Sequence, residues 1–282
     1  MIIVKFFSSF CSSEECLERH RRVLQFIAVP QYGTDIVFTV EDNYTHAVLL
    51  NTAMPKLSVP KQNVLGLAFE PPYYLGLTPK FIEYAKEHIG QYYIGSSKGL
   101  PLPFVEHHGF MWHIPCPRVI ADKTKLMSII FSNKTQVPGH QYRHQLVRAI
   151  LQLNLPIDVY GRGCTSLGST DSRIKGSFDN EDAPYEGYQF SIAIENFSLP
   201  EYFSEKLINC IIHECTPLYY GAQNIEKYLP NSSIPLVGNL VTDLSIIRAV
   251  LKDPSKYKKT NKQCDILSKI NIIDELCNLY LN

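Results

Sequence analysis

Short apolar runs alternate with amphipathic stretches along most of the chain. In the first half, Ile2–Phe7, Ile36–Val40, Ala47–Leu50 and Val64–Phe69 read as strands, the last running into Glu70-Pro71-Pro72. Between the first two, Cys16–Ile27 carries Leu17, Val23, Leu24 and Ile27 at helical spacing. From Gly95 to Pro117 the pattern dissolves into Gly, Pro, His and aromatics, and Lys98-Gly-Leu-Pro-Leu-Pro-Phe104 cannot hold a helix. A loop is expected there, with a domain boundary near 115–122. In the second half, Lys125–Ser132, Ile157–Tyr160, Tyr188–Ile194 and Pro217–Tyr220 read as strands. Tyr142–Leu153, Tyr202–His213, Asp243–Leu251 and Asp265–Leu281 read as helices, each with an apolar side. Strands that alternate with helices predict parallel sheets with covering helices, an α/β protein of two doubly wound domains. The last helix, apolar over a broad face, is expected to cross back onto the first domain.

Composition narrows the class. The 282 residues are 45% hydrophobic and 19% charged, which excludes a disordered or fibrous chain and suits two domains of about 100–150 residues. Lys plus Arg and Asp plus Glu each number 27. That balance argues against nucleic acid or an anionic membrane as partner, since both call for a basic excess. The opening apolar run is interrupted by Lys5 and falls far short of the roughly 20 residues of a membrane span. Neither a signal peptide nor an integral membrane segment is expected. The eight cysteines form no pair of zinc-ligand spacing and read as reduced thiols, so a cytoplasmic location is expected.

Several common chemistries lack their motifs. There is no phosphate-binding Gly-x-x-x-x-Gly-Lys loop, no Gly-x-Gly-x-x-Gly turn, no Gly-x-Ser-x-Gly elbow and no Asp-x-Asp triplet for a metal-bound diphosphate. An anionic ligand would have to be held by side-chain cations and helix ends. The richest segment runs from Tyr188 to Gly221. A buried strand delivers Glu195 and Asn196 to its carboxyl end, and Ser204 is placed to cap a helix that opens with Glu205-Lys206. Glu205 there complements the helix dipole, whereas Lys206 opposes it. Lys206 reads either as a solvent-facing lysine or as a cation for a diphosphate seated on that helix end. Glu70, at a strand end and followed by two prolines, reads either as a solvated acid or as a rigidly placed carboxylate at the rim of a sheet.

The segment resembles the signature of the α-1,3/4-fucosyltransferases. Glu195-Asn196 and Tyr202-Phe203-Ser204-Glu205-Lys206 stand like the family's Glu-Asn and Tyr-(Val/Ile)-Thr-Glu-Lys, and Thr216-Pro-Leu-Tyr-Tyr-Gly221 and Asn224–Pro230 follow in family order. Phe131-Ser-Asn133, Arg143 and Ile157-Asp-Val-Tyr-Gly161 extend the likeness, which covers roughly residues 128–250. Leu67-Ala-Phe-Glu-Pro-Pro72 resembles the family's Glu-Ser-Pro element, while its Tyr-Arg-x-Asp-Ser-Asp segment is replaced by Tyr92–His113. The resemblance implies two Rossmann-like domains facing a cleft, the GT-B glycosyltransferase architecture, with residues 1–118 on the acceptor side and 119–282 holding a nucleotide sugar. It implies donor binding by Arg143, Asn196, Tyr202, Glu205 and Lys206, and Glu70 as general base of an inverting transfer to a glycan hydroxyl. Neither metal nor cofactor is expected beyond the donor, with GDP-fucose first. A UDP-sugar such as UDP-xylose, used as in exostosin-like enzymes, is one alternative, and a non-catalytic carbohydrate-binding protein is another.

Overall fold

A computed structural model describes residues 1–26, 36–108, 119–168, 170–261, 266 and 276, with residues 22–26 described by backbone alone. The described residues divide into two units: 1–108 with 200–202 and Leu276, and 119–199 with 203–261 and Ile266.

The first unit is an all-parallel sheet. Its elements are β1 (Ile2–Ser8), α1 (Ser13–Phe26), β2 (Ile36–Thr39), β3 (His46–Leu50), β4 (Val64–Leu67), α2 (Pro72–Leu75), α3 (Pro79–His88), β5 (Gln91–Ile94) and β6 (Phe104–Glu106). The strand order is β2-β1-β3-β4-β5-β6. Both faces are covered, so β3 has no polar side: Val48 and Leu50 pack with Val4, Phe6 and Leu67, and Ala47 and Leu49 pack with Phe81, Ile89 and Tyr92. Leu276, helical in conformation and fully buried, joins the cluster around Val4 and Phe6. The rest of the helix expected over Asp265–Leu281, apart from Ile266, lies outside the described residues, as do residues 109–118 around the expected boundary.

Four elements of this unit fall where the sequence pattern predicts none, the single-turn α2 among them. Helix α3 and strand β5 fill a stretch to which no element was assigned, and Thr78 caps α3 by accepting the Phe81 N–H at 3.2 Å, ahead of Pro79 at the first helical position. Strand β6 sits inside the expected loop. Among the described residues it is an edge strand that pairs only with β5, so the neighbouring prolines remove no hydrogen bond that the sheet needs.

The second unit is again an all-parallel sheet. It contains β7 (Lys125–Ile130), α4 (Pro138–Gln152), β8 (Asp158–Tyr160), β9 (Ile174–Gly176), β10 (Tyr188–Ile194), α5 (Glu205–Ile212), β11 (Thr216–Tyr220), β12 (Ile234–Pro235) and α6 (Leu240–Lys252). The order is β12-β11-β10-β7-β8-β9. The chain builds outward from β7 through β8 and β9, then returns to place β10 on the other side of β7. Strand order therefore reverses between β7 and β10, and ligands of open α/β sheets bind at the carboxyl ends of such a pair. Met127, Ile129, Leu146, Ile150, Phe190 and Ile247 are among the residues of the core that α4 and α6 close.

Candidate functional site

The loops leaving β7 and β10, with the helices α4 and α5 that they lead into, carry the expected donor residues. After β10 comes Glu195, which has no exposed surface. A buried carboxylate needs hydrogen bonds and a counter-charge, and Glu195 has both. Ser204 donates its backbone N–H to Oε1 at 2.8 Å and its hydroxyl to Oε2 at 2.7 Å, and Lys206 Nζ stands 3.6 Å from Oε2. Burial pushes the Glu195 carboxyl above the ordinary glutamate range, and the Lys206 charge and the Ser204 bonds oppose that rise. Ser204 also caps α5, its Oγ accepting the Lys206 N–H at 3.3 Å. Helix α5 starts at Glu205, three residues later than Tyr202, because the cap stops the helical turn and Glu201 takes a positive φ of 61°.

Lys206 is the cation at this end of α5. Its Nζ donates to Ser204 Oγ at 3.0 Å and to Glu205 Oε1 at 2.9 Å, with a quarter of the side chain exposed. Burial disfavours its charge, but Glu205 and Glu195 outweigh that effect and hold its pKa above the ordinary lysine value. Lys206 is thus charged, anchored on one side and open on the other. Glu205 is partly exposed beside it.

Helix α4 meets the same strand end. The Gly139 N–H donates to the Asn196 carbonyl at 3.0 Å, and a Cβ at Gly139 would stand 1.9 Å from the Glu195 carbonyl oxygen. Only glycine permits this approach. Arg143, buried on α4, donates from Nη2 to the Ile194 carbonyl and from Nη1 to Ser132 Oγ at 3.4 Å. It ties the ends of β7 and β10 together and adds positive charge beneath them. His140 Nε2 lies 2.9 Å from Asn196 Oδ1, and burial, followed by the charges of Arg143 and Lys206, keeps the imidazole below its ordinary pKa. The second unit therefore gathers Arg143, Asn196, Glu205 and Lys206 at its switch point. This arrangement suits an anion: two cations and an amide at the positive end of a helix.

Glu70 and Tyr202 belong to the first unit. Glu70 follows β4 and precedes the Pro71 cap of α2, and the Tyr202 hydroxyl donates to its Oε2 at 3.1 Å. Among the described residues no three His, Cys, Asp or Glu side chains converge on a metal site, and no helix is long and apolar enough to cross a membrane.

Sequence reasoning assigned no role to Glu195 or His140. Glu195 had a signal, an acid at the end of an apolar strand. An isolated histidine in a polar helix turn offers none.

Residues 120–261 match the profile of "Glycosyltransferase family 10 (fucosyltransferase) C-term". An Arabidopsis thaliana α-(1,4)-fucosyltransferase is 23% identical over 207 residues, which are 66% of this chain and 47% of that protein. The chain thus spans less than half the length of this relative. A crystal structure of an α1,3-fucosyltransferase superposes with a TM-score of 0.57 at 14% identity, covering all of this chain and 90% of the other. One described as in complex with GDP-fucose gives 0.56 at 12% identity, over 99% and 90%. These likenesses carry the fold, two Rossmann-like α/β units of the GT-B class. With half of its residues matched to the family profile, and Glu195-Asn196 and Ser204-Glu205-Lys206 built into one cluster, the chain belongs to glycosyltransferase family 10, the fucosyltransferases.

Proposed function

We propose that this protein is an inverting glycosyltransferase that moves fucose from GDP-fucose to a glycan hydroxyl without a divalent metal. The observation that carries the reading is Lys206, charged and anchored by Glu195, Ser204 and Glu205 at the amino end of α5. A cation at that end opposes the helix dipole and is stabilised by an anionic ligand there. The diphosphate of a nucleotide sugar supplies that anion, and Lys206 with Arg143 neutralises the charge that develops as it leaves. Glu205 and Asn196 orient the donor. Glu70 takes the proton of the acceptor hydroxyl as the bond to the anomeric carbon forms, steadied by the hydroxyl of Tyr202. The GDP-fucose complex of a structural neighbour supports the choice of donor.

Isothermal titration with GDP-fucose and UDP-xylose tests the donor. GDP-fucose should bind, and Lys206→Ala and Arg143→Ala should each weaken it at least tenfold; tighter binding of UDP-xylose would transfer the reading to a UDP-sugar enzyme. Glu70→Gln should lose about 10²–10⁴-fold in turnover while keeping nucleotide affinity. Parental turnover in that variant, or a product that retains the donor's anomeric configuration, rules Glu70 out as base. Turnover should persist in chelator. A carbohydrate-binding protein without activity would release no GDP.

A further inference from the structure

His140 is 2% exposed on the first turn of α4, and among the described residues the only hydrogen bond of its ring is the 2.9 Å contact between Nε2 and Asn196 Oδ1. Its Nδ1 is buried and has no hydrogen-bond partner among the described residues. Two neutral arrangements make the Asn196 bond. In the first, the proton sits on Nε2 and is donated to the amide oxygen, leaving a lone pair buried at Nδ1. In the second, the Asn196 amide nitrogen donates to a bare Nε2, and the proton sits on Nδ1 as a buried N–H with nothing to accept it. Orphaned N–H groups are the rarer and more costly defect, so the first arrangement wins. An imidazolium is disfavoured by burial and by the charges facing the ring: Arg143 on the same helix, Lys134 in the preceding loop and Lys206 on α5.

The consequence falls on Asn196. Its oxygen is committed to His140, and its N–H₂ group, on the opposite fork of the amide, has no partner among the described residues. Asn196 is partly exposed at the carboxyl end of β10, in the cluster that holds Lys206 and Arg143. An amide that presents only donors, beside two cations, selects an oxygen that only accepts. Phosphate oxygens meet that description, and sugar hydroxyls, which also donate, fit it less well.

We propose that His140 is a positioning residue that holds the Asn196 amide with its N–H₂ toward the diphosphate of the bound nucleotide sugar. The proposal rests on the reading of the second unit as the donor site, and it makes Asn196 a phosphate contact rather than a hydroxyl contact.

Titration of GDP into a set of variants tests it. His140→Leu should weaken GDP roughly tenfold, as expected for a charge-assisted hydrogen bond that loses its alignment. His140→Gln keeps an N–H donor and should restore most of that loss. Asn196→Ala should cost a similar factor, and adding His140→Leu to it should cost nothing more, because the two act as one unit. Asn196→Asp sets a carboxylate oxygen where the N–H₂ stood and should weaken GDP more than Asn196→Ala does. An equal His140→Leu penalty in the parent and in Asn196→Ala overturns the proposal, as does parental GDP affinity in Asn196→Asp. Should His140→Leu fail to fold, Asn196→Asp at its part-exposed position decides alone. Inorganic pyrophosphate and UDP separate this inference from the donor reading. The same variant pattern with either, in a parent that ignores GDP, upholds the positioning and removes the guanine donor. A parent that binds none of the three overturns both.

Discussion

Glu195 can lie without any exposure because Ser204 meets it twice and Lys206 stands beside it. Removing one of those partners leaves a buried polar atom unpaired, which costs more than the bond itself contributes. Ser204→Ala removes both the α5 cap and one of the Glu195 bonds. It should destabilise the protein by about 1–3 kcal/mol in a denaturant titration and weaken GDP, while Ser204→Thr should do neither. His20 is the contrasting case. It is buried against the Phe6 ring at 4.4 Å, with both nitrogens lacking a partner among the described residues. Burial, with the Arg19 charge, lowers its pKa from 6.5 to about 4. The unfolded chain then binds the proton more readily, so stability is intact above pH 6.5 and falls as the pH drops toward about 4. The loss should approach roughly 3 kcal/mol and should be absent from His20→Phe when midpoints are compared at pH 7 and pH 4.5.

At the scale of elements, strand and helix types were readable because burial imposes a period on each. Helix α4 was expected from Tyr142, and it begins earlier, at Pro138, because proline suits the first helical position. Helix α5 was expected from Tyr202, and it begins later, at its serine cap. Such ends depend on single side chains that periodicity does not weigh. The α4–β10 junction depends on a missing one. Gly139→Ala would drive a methyl group into the Glu195 carbonyl and should push α4 away from the strand end. The expected result is a loss of about 1–3 kcal/mol in stability together with a reduced thermal shift on GDP addition. An alanine variant as stable and as responsive as the parent would show that the junction yields without strain.

Across the whole molecule, continuity in sequence and packing in space part company. The chain returns to the first unit twice after leaving it, at Pro200–Tyr202 and at Leu276. Leu276 is fully buried with Val4, Phe6, Val48 and Leu67, although more than two hundred residues of sequence lie between it and any of them. Leu276→Ala should cost about 2–5 kcal/mol, as deletion of a buried leucine side chain does elsewhere, and calorimetry would measure it. Because the proposed donor site lies in the second unit, GDP should still bind this variant with parental affinity at temperatures where it is folded.

Local patterns decide what each segment becomes, and so the sequence alone determined the α/β class, most strands, and the run from Glu195 to Lys206 with its serine cap. Those features depend on neighbours within a turn or a strand. The site needed more. His140 meets Asn196 across 56 positions, and Arg143 meets the Ile194 carbonyl across 51. Both contacts exist because the sheet returns β10 to the flank of β7, bringing the amino end of α4 onto the end of another strand. That strand order is chosen by the packing of whole faces rather than by any residue's neighbours, and only the tertiary structure decided it.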